Sequence, residues 1–282
     1  MSRKKCAEGR ASGWKYYNHA MMPCCKPHET ADIDELIHHG WESKALFAKY
    51  TTDWDCPEET GWYWVIRDTP ICLDEFKAKH RYEIKKGLAH FSVSPIDPTS
   101  YPDELYHIAV DTLKTYPKSY RHIPTREQFV KSLPSWKFTF GAFDRETHEL
   151  CGYIIMVERD EVLYYSEQRV LQRCEKMYIN AALIYSMVDY YRERLEHGAY
   201  IVDGERNINH ITNHQAYLCS KLGFRKANCK LHVVYRPGVK LIVDLLWHVR
   251  GLLKKFDYSS SMIHSVNGVL MLESIRRTMD EK

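Results

Sequence analysis

The segment AYIVDGERNINHITNHQAYLCSKLGFRKANCKLHVVYR, from Ala199 to Arg236, limits the fold of this chain more than any other. Ala199 to Val202 is a short apolar run that predicts a strand, and Asp203-Gly204 breaks it. Thr212 or Asn213 stands where a cap is wanted for the helix that follows. Leu218 and Leu222 lie four apart and share one face of that helix, and Gly223 sits at the place of a left-handed C-cap. Phe224 can then fold back onto the apolar face. The expected order is strand, polar loop, short amphipathic helix, L-G-F corner, strand.

Upstream, residues 1 to about 60 are turn-rich, with a helix expected from Ile33 to Tyr50 and a strand from Trp62 to Arg67. Asp74 is placed to cap a helix running through LDEFKAKHRYEIKKGL, and His90 to Ile96 predicts a strand. After a helix from Asp103 and a short one at Thr125 to Leu133, three strands follow at Lys137 to Phe143, Leu150 to Glu158 and Val162 to Arg169, joined by polar turns. MYINAALIYSMVDYYRERLEHG has the strongest helical periodicity of the chain. The whole reads as an α+β layer, a mixed and mainly antiparallel sheet with helices on both faces. Three regions are expected: 1–89, irregular and a partial copy of the following half; 90–237, the main domain; and 238–282, a helical tail.

The net charge of +3 is too small to mark a nucleic-acid binder by itself. The nine cysteines include no C-x-x-C, so a disulfide framework is not expected and a reduced, cytoplasmic setting is. The basic N-terminus has no apolar run behind it, and no window reaches the length of a membrane span. His38-His39 and Cys24-Cys25-x-x-His28 lack the spacing of a structural zinc site, so no metal is expected.

Three stretches resemble the GNAT superfamily and, more narrowly, its Fem-type branch of peptidoglycan-bridge aminoacyltransferases. KHRYEIKKGLAHFSV is similar to the basic helix joining two GNAT-like halves and the strand after it. ELCGYIIMVERDEVLYYSEQRV is similar to the central hairpin with its cofactor-contacting strand, and HQAYLCSKLGFRK to the terminal helix. The resemblance spans about 80 to 236. It implies an N-acyltransferase that takes an acyl group from acyl-CoA, or from an aminoacyl-tRNA, to an amine on a small molecule or a cell-wall or glycan precursor.

The chain departs from the family pattern in two places that bear on chemistry. The turn expected to cradle a donor pyrophosphate, QRVLQRCEKMYINAAL, has no glycine. The residue matching the family's usual tyrosine acid is Cys219, with Tyr217 two positions before it. The resemblance places Glu167 where a general base stands, the alternative being a sheet-edge partner for Arg169 or Lys176. Gln168, Arg169, Val170, Gln172, Arg173, Lys176 and Asn213 are the donor-binding candidates. Tyr165, Asp203, Glu205, Arg206, Asn207 and, with Lys85 and Lys86 on its helix, Arg81 are the substrate-binding candidates. The crowded polar residues from Asp203 to His214 equally suit a turn that satisfies its own backbone. A catalytically silent GNAT-like module that binds a ligand or partner is the other reading. In the tail, residues 239–257 are amphipathic, which suits either a membrane surface or packing against protein.

Overall fold

Every residue from Leu150 to Met156 is buried, although successive side chains of a strand point to opposite faces. A sheet covered on both sides follows, and the sheet that carries these residues has helices on both.

The computed structural model describes residues 13–39, 41–42, 44–117, 121–208, 213–256 and 261–280. In chain order these form β1 (Trp14–Tyr17), β2 (Ala20–Pro23), α1 (Ile33–His39), β3 (Phe47–Thr52) and β4 (Tyr63–Arg67). Next are α2 (Ala78–His90), β5 (Phe91–Ile96), α3 (Pro102–Lys114), α4 (Arg126–Ser132), β6 (Phe138–Asp144), β7 (Leu150–Arg159) and β8 (Val162–Val170). The one-turn α5 (Gln172–Glu175), α6 (Ile179–Tyr190), α7 (Arg192–Glu196), β9 (Tyr200–Glu205) and α8 (His214–Lys221) follow. Last come β10 (Arg225–Asn228), β11 (Lys230–Tyr235), α9 (Val239–His248), α10 (Arg250–Lys255) and α11 (Ser261–Asp280).

Two units are formed. One comprises Val65–Gly204 and Thr212–Arg225; the other comprises Met1–Trp64, Glu205–Ile211 and Lys226–Lys282. In the first, the strands are ordered β4-β9-β8-β7-β6-β5. β5 to β8 are an antiparallel meander and β9 joins β8 in parallel. The helices on its two faces can be read from single contacts. A Cβ on Gly152 would stand 3.1 Å from Ile179 of α6, whereas the Tyr153 ring meets Trp136, just past α4, at 5.3 Å between centroids. A Cβ on Gly87 would lie 2.5 Å from the carbonyl oxygen of Tyr178, so α2 and α6 approach too closely there for any side chain.

The L-G-F corner forms as its spacing predicts. Leu218, Leu222 and Phe224 are buried, Gly223 has φ +69°, and the Phe224 amide donates to the Leu218 carbonyl at 3.3 Å. The fold adds a partner that the local pattern does not contain. Arg67, only 2% exposed, donates to the Gly223 carbonyl at 2.9 Å, and a Cβ on Gly223 would meet its Nη1 at 2.0 Å. Asn213 is the N-cap of α8 but makes no side-chain cap bond, and Thr212 lies outside the described residues.

Elsewhere non-local pairing overrides local periodicity. The helix expected through Tyr50 ends at His39, because Phe47 to Thr52 pair residue by residue with Tyr235 to Lys230 of β11. The helix expected from Asp74 starts at Ala78, since Leu73–Glu75 is a separate 3₁₀ turn whose Glu75 is bonded to Arg67. In the second unit β1, β2, β3 and β11 make a four-stranded sheet. Its core gathers Phe47, Trp62, Cys229, Leu231 and Leu272 of α11. Among the described residues no helix is long and apolar enough to cross a membrane.

Candidate functional site

β8 is irregular in two ways that belong together. Only its first three residues pair with β9, Val162 with Tyr200, Leu163 with Ile201 and Tyr164 with Val202, so the two parallel strands part after Tyr164. On the other side its register with β7 slips: Met156 faces Tyr165 but Ile155 faces Glu167, leaving Ser166 as a β-bulge. Strict alternation would put Tyr165 and Glu167 on one face. The bulge reverses the order, so Tyr165 and Gln168 share the face of Ile154 and Met156, while Glu167 and Arg169 share that of Tyr153 and Ile155. The candidate residues of this strand therefore form two clusters, not one.

On the first face Glu167 accepts through a single oxygen. Its Oε1 takes the Tyr153 hydroxyl at 3.1 Å and Arg169 Nε at 2.7 Å. Tyr153 is fully buried, and burial first, then the Glu167 charge, hold its hydroxyl well above the ordinary tyrosine range. Burial pulls the Arg169 guanidinium down, but Glu167 and Tyr153 more than offset this and leave it raised. Its Nη1 is buried without a hydrogen-bond partner among the described residues. The Glu167 side chain is 36% exposed, and Oε2 makes no hydrogen bond among the described residues. What this cluster can do chemically is hold a carboxylate fixed by two donors on one oxygen, with the other oxygen left to accept.

On the opposite face the Tyr165 hydroxyl donates to Gln168 Oε1, and Gln168 Nε2 donates to Asn180 of α6. The Tyr165 ring stands edge-on to His214 at the start of α8, with centroids 5.4 Å apart. His214 and Gln215 both reach Asp203 at the end of β9, the latter at 3.0 Å. Burial first, then Asp203 and Tyr217, push the Tyr165 hydroxyl up. Tyr217 is also raised, by burial and by Glu83, and its ring lies under Lys221. Tyr165, Gln168, Asp203 and Tyr217 are thus brought together. Cys219 is half-buried on α8.

The glycine-free turn is occupied in a different sense. The Gln172 amide, first in α5, donates to Asp111 Oδ2 of α3 at 2.8 Å, and the Gln172 side chain donates to the Asp111 carbonyl at 2.9 Å. Arg173 is paired with Glu149. A carboxylate thus sits where a cradled phosphate would place its charge, and the residues present do not fit a pyrophosphate there. Val170 is buried, its carbonyl accepting from Thr112 at 2.9 Å, while Lys176 and Asn213 are exposed.

The remaining candidates stand apart. Arg81 pairs with Asp74 at 3.6 Å and shares a shallow surface hollow with Tyr82, Lys85 and Lys86. Glu205 and Arg206 belong to the other unit, where Glu205 pairs with Lys49 and Arg206 donates to the Gly61 carbonyl. Asn207 is exposed, and His210 lies outside the described residues. Among the described residues no group of three or more His, Cys, Asp or Glu is placed to hold a metal. Tyr153, Asp111 and Asn180 were not readable as site residues, because each gains its meaning from a partner on another element.

No family model matches the chain, and no curated protein matches it by sequence. The chain is similar to solved structures at low identity and with TM-scores below 0.5. L-PGS from Bacillus licheniformis is 11% identical over 80% of each chain, with a TM-score of 0.46. FemX is 10% identical over 76% of this chain and 77% of its own, with a TM-score of 0.49. A GCN5-related N-acetyltransferase from Sphaerobacter thermophilus is 13% identical over 73% of this chain and 65% of its own, with a TM-score of 0.41. The antiparallel meander, the bulged strand that parts from its parallel neighbour and the terminal L-G-F helix follow in the order that the sequence resemblance implied.

Proposed function

We propose that the chain is an N-acyltransferase whose transfer chemistry is centred on β8 within the 90–237 region. The observation that carries this reading is the Glu167 cluster beside the bulge at Ser166: a half-buried carboxylate fixed through one oxygen by Tyr153 and Arg169, with the other oxygen making no hydrogen bond among the described residues. In the proposed reaction an amine attacks the carbonyl of a thioester or aminoacyl ester. The C–N bond forms, Glu167 Oε2 takes a proton from the attacking amine, and the C–S or C–O bond of the donor breaks as Glu167 returns that proton to the leaving thiol or hydroxyl. Backbone donors of β8 beyond Tyr164 would steady the oxyanion. Tyr165, Asp203 and Tyr217 on the opposite face are proposed to shape recognition of the donor or acceptor. The donor is aminoacyl-tRNA or, with its pyrophosphate held elsewhere than at the Gln172 turn, acyl-CoA, and the acceptor an amine of a small molecule or cell-wall precursor.

One observation favours a second reading, a GNAT-like module that binds without transferring. Asp111 holds the Gln172 amide, so a nucleotide donor would meet a carboxylate there. Calorimetry with acetyl-CoA on the natural chain and on Asp111→Asn separates the two. Saturable binding that strengthens about tenfold in the variant supports a CoA donor, the scale expected when a like charge leaves an anion site. Mass spectrometry then reads acyl transfer to an amine panel from acetyl-CoA and from aminoacyl-tRNA. A chain that binds but transfers from neither donor is the silent module.

A further inference from the structure

Six large apolar side chains stay exposed along α9 and α10: Leu241 at 70%, Ile242 at 57%, Leu245 at 72%, Val249 at 46%, Leu252 at 58% and Phe256 at 52%. Leu241, Ile242 and Leu245 lie close together on α9, and Val249, at the turn between the helices, Leu252 of α10 and Phe256, its C-cap, follow at spacings of three and four. The other side of α9 is what holds it to its unit: Val243 is buried, and the Arg277 guanidinium of α11 covers the Trp247 ring at 4.5 Å. Burying these six groups is thus not required for the helix to dock. Six large exposed apolar side chains within 16 residues are uncommon on a surface that meets only water.

The charges beside these side chains are of one sign. From residue 240 to 256 there are four Lys or Arg and a single acid, Asp244. Asp244 is already held by Lys240 and, at 2.7 Å, by Arg277. Arg250, Lys254 and Lys255 are exposed. A second copy of the chain brought against this surface face to face with the same helices would set these cations against like charges. A flat layer that is apolar below and anionic above satisfies both features at once.

We propose that α9 and α10 dock the protein on an anionic phospholipid surface, their exposed apolar side chains entering the acyl boundary and Arg250, Lys254 and Lys255 meeting the headgroups. This binding is independent of the transfer chemistry proposed for β8. The test is flotation of the full chain with phosphatidylcholine vesicles and with vesicles containing equal phosphatidylglycerol. Partition into the anionic vesicles is at least about tenfold stronger, and about 0.5 M salt removes most of that difference. Leu245→Asp with Leu252→Asp lowers binding at least about tenfold on anionic vesicles without moving the melting temperature, since both positions are exposed. Lys254→Glu with Lys255→Glu abolishes the preference for anionic lipid. The proposal is overturned by a chain that stays unbound at about millimolar anionic lipid, or by binding indifferent to the two aspartates. A dimer in sedimentation that the two aspartates dissolve, with no vesicle binding, overturns it in favour of self-association.

Discussion

Glu167 of β8 and Glu273 of α11 are surrounded by the same parts, a tyrosine hydroxyl and arginine guanidinium, yet the two clusters are built to different ends. Glu273 is wholly buried and both its oxygens are engaged. Oε1 accepts from Arg276 and Arg277, each at 2.8 Å, and Oε2 from the Tyr235 hydroxyl at 2.8 Å and Arg276 at 2.9 Å. Glu167 accepts two bonds on one oxygen, while the other makes no hydrogen bond among the described residues. A saturated buried carboxylate holds elements together; a fixed, half-saturated and half-buried one has an oxygen left to accept. Residue type alone does not distinguish them, whereas the count of engaged lone pairs does.

Substitution by glutamine at each position is the strongest way to break that contrast. Glu167→Gln is expected to lower the transfer rate by about 10²–10⁴-fold, the contribution of a general base. Its thermal midpoint should hardly move. The readout is initial rate by mass spectrometry alongside a melting curve. A variant that melts early while keeping its turnover would make Glu167 a second Glu273. Glu273→Gln should do the reverse, costing about 3 kcal/mol because two half-buried arginines lose the charge they are bonded to. That lowers the melting temperature by on the order of 10 °C, with the rate per folded molecule unchanged.

The same contrast has a pH signature. Burial pushes Glu273 up, but the bonds from Arg276, Arg277 and Tyr235 outweigh it and bring its pKa down from 4.5 to about 2. A carboxyl lowered in the folded state contributes stability that is complete above the unfolded value. That stability is lost as pH falls from about 4.5 toward about 2, a loss on the order of 3 kcal/mol. Denaturant titrations across that window should show the loss in the natural chain and its absence in Glu273→Gln. Equal slopes in the two proteins would mean that other acids govern the transition.

What was legible in the sequence was local. The meander strands, the helix with Leu218 and Leu222, and Gly223 at its C-cap each depend on residues within a turn or two, and all form where the spacing places them. β3 was not legible, because its partner β11 lies far along the chain: Thr52 meets His232 at a separation of 180 residues. The site was legible as a segment but not as a geometry. Period-two alternation puts Tyr165 and Glu167 together, and nothing in YYSEQ announces that Ser166 will bulge and send them to opposite faces. Asp111 reads as one more polar residue on a helix until α5 delivers the Gln172 amide to it.

The smallest expected effect tests the comparison most closely. Tyr153→Phe removes one donor from Glu167 and leaves Arg169 in place, and because phenylalanine keeps the buried ring, no cavity opens. A hydrogen bond to a charged acceptor is worth about 1.5–3 kcal/mol, but the half-buried carboxylate can replace the lost donor with water, so roughly 1 kcal/mol is expected to remain. If the bond serves to aim Oε2, that difference appears as about a fivefold lower rate with an almost unchanged melting temperature. Tyr235→Phe in the other cluster is the control: water does not reach Glu273, so the loss should appear in stability and not in rate. If Tyr153→Phe behaves like Tyr235→Phe, the Glu167 cluster is a brace of the sheet, and the proposed base must be sought on the opposite face of β8, beside Tyr165 and Asp203.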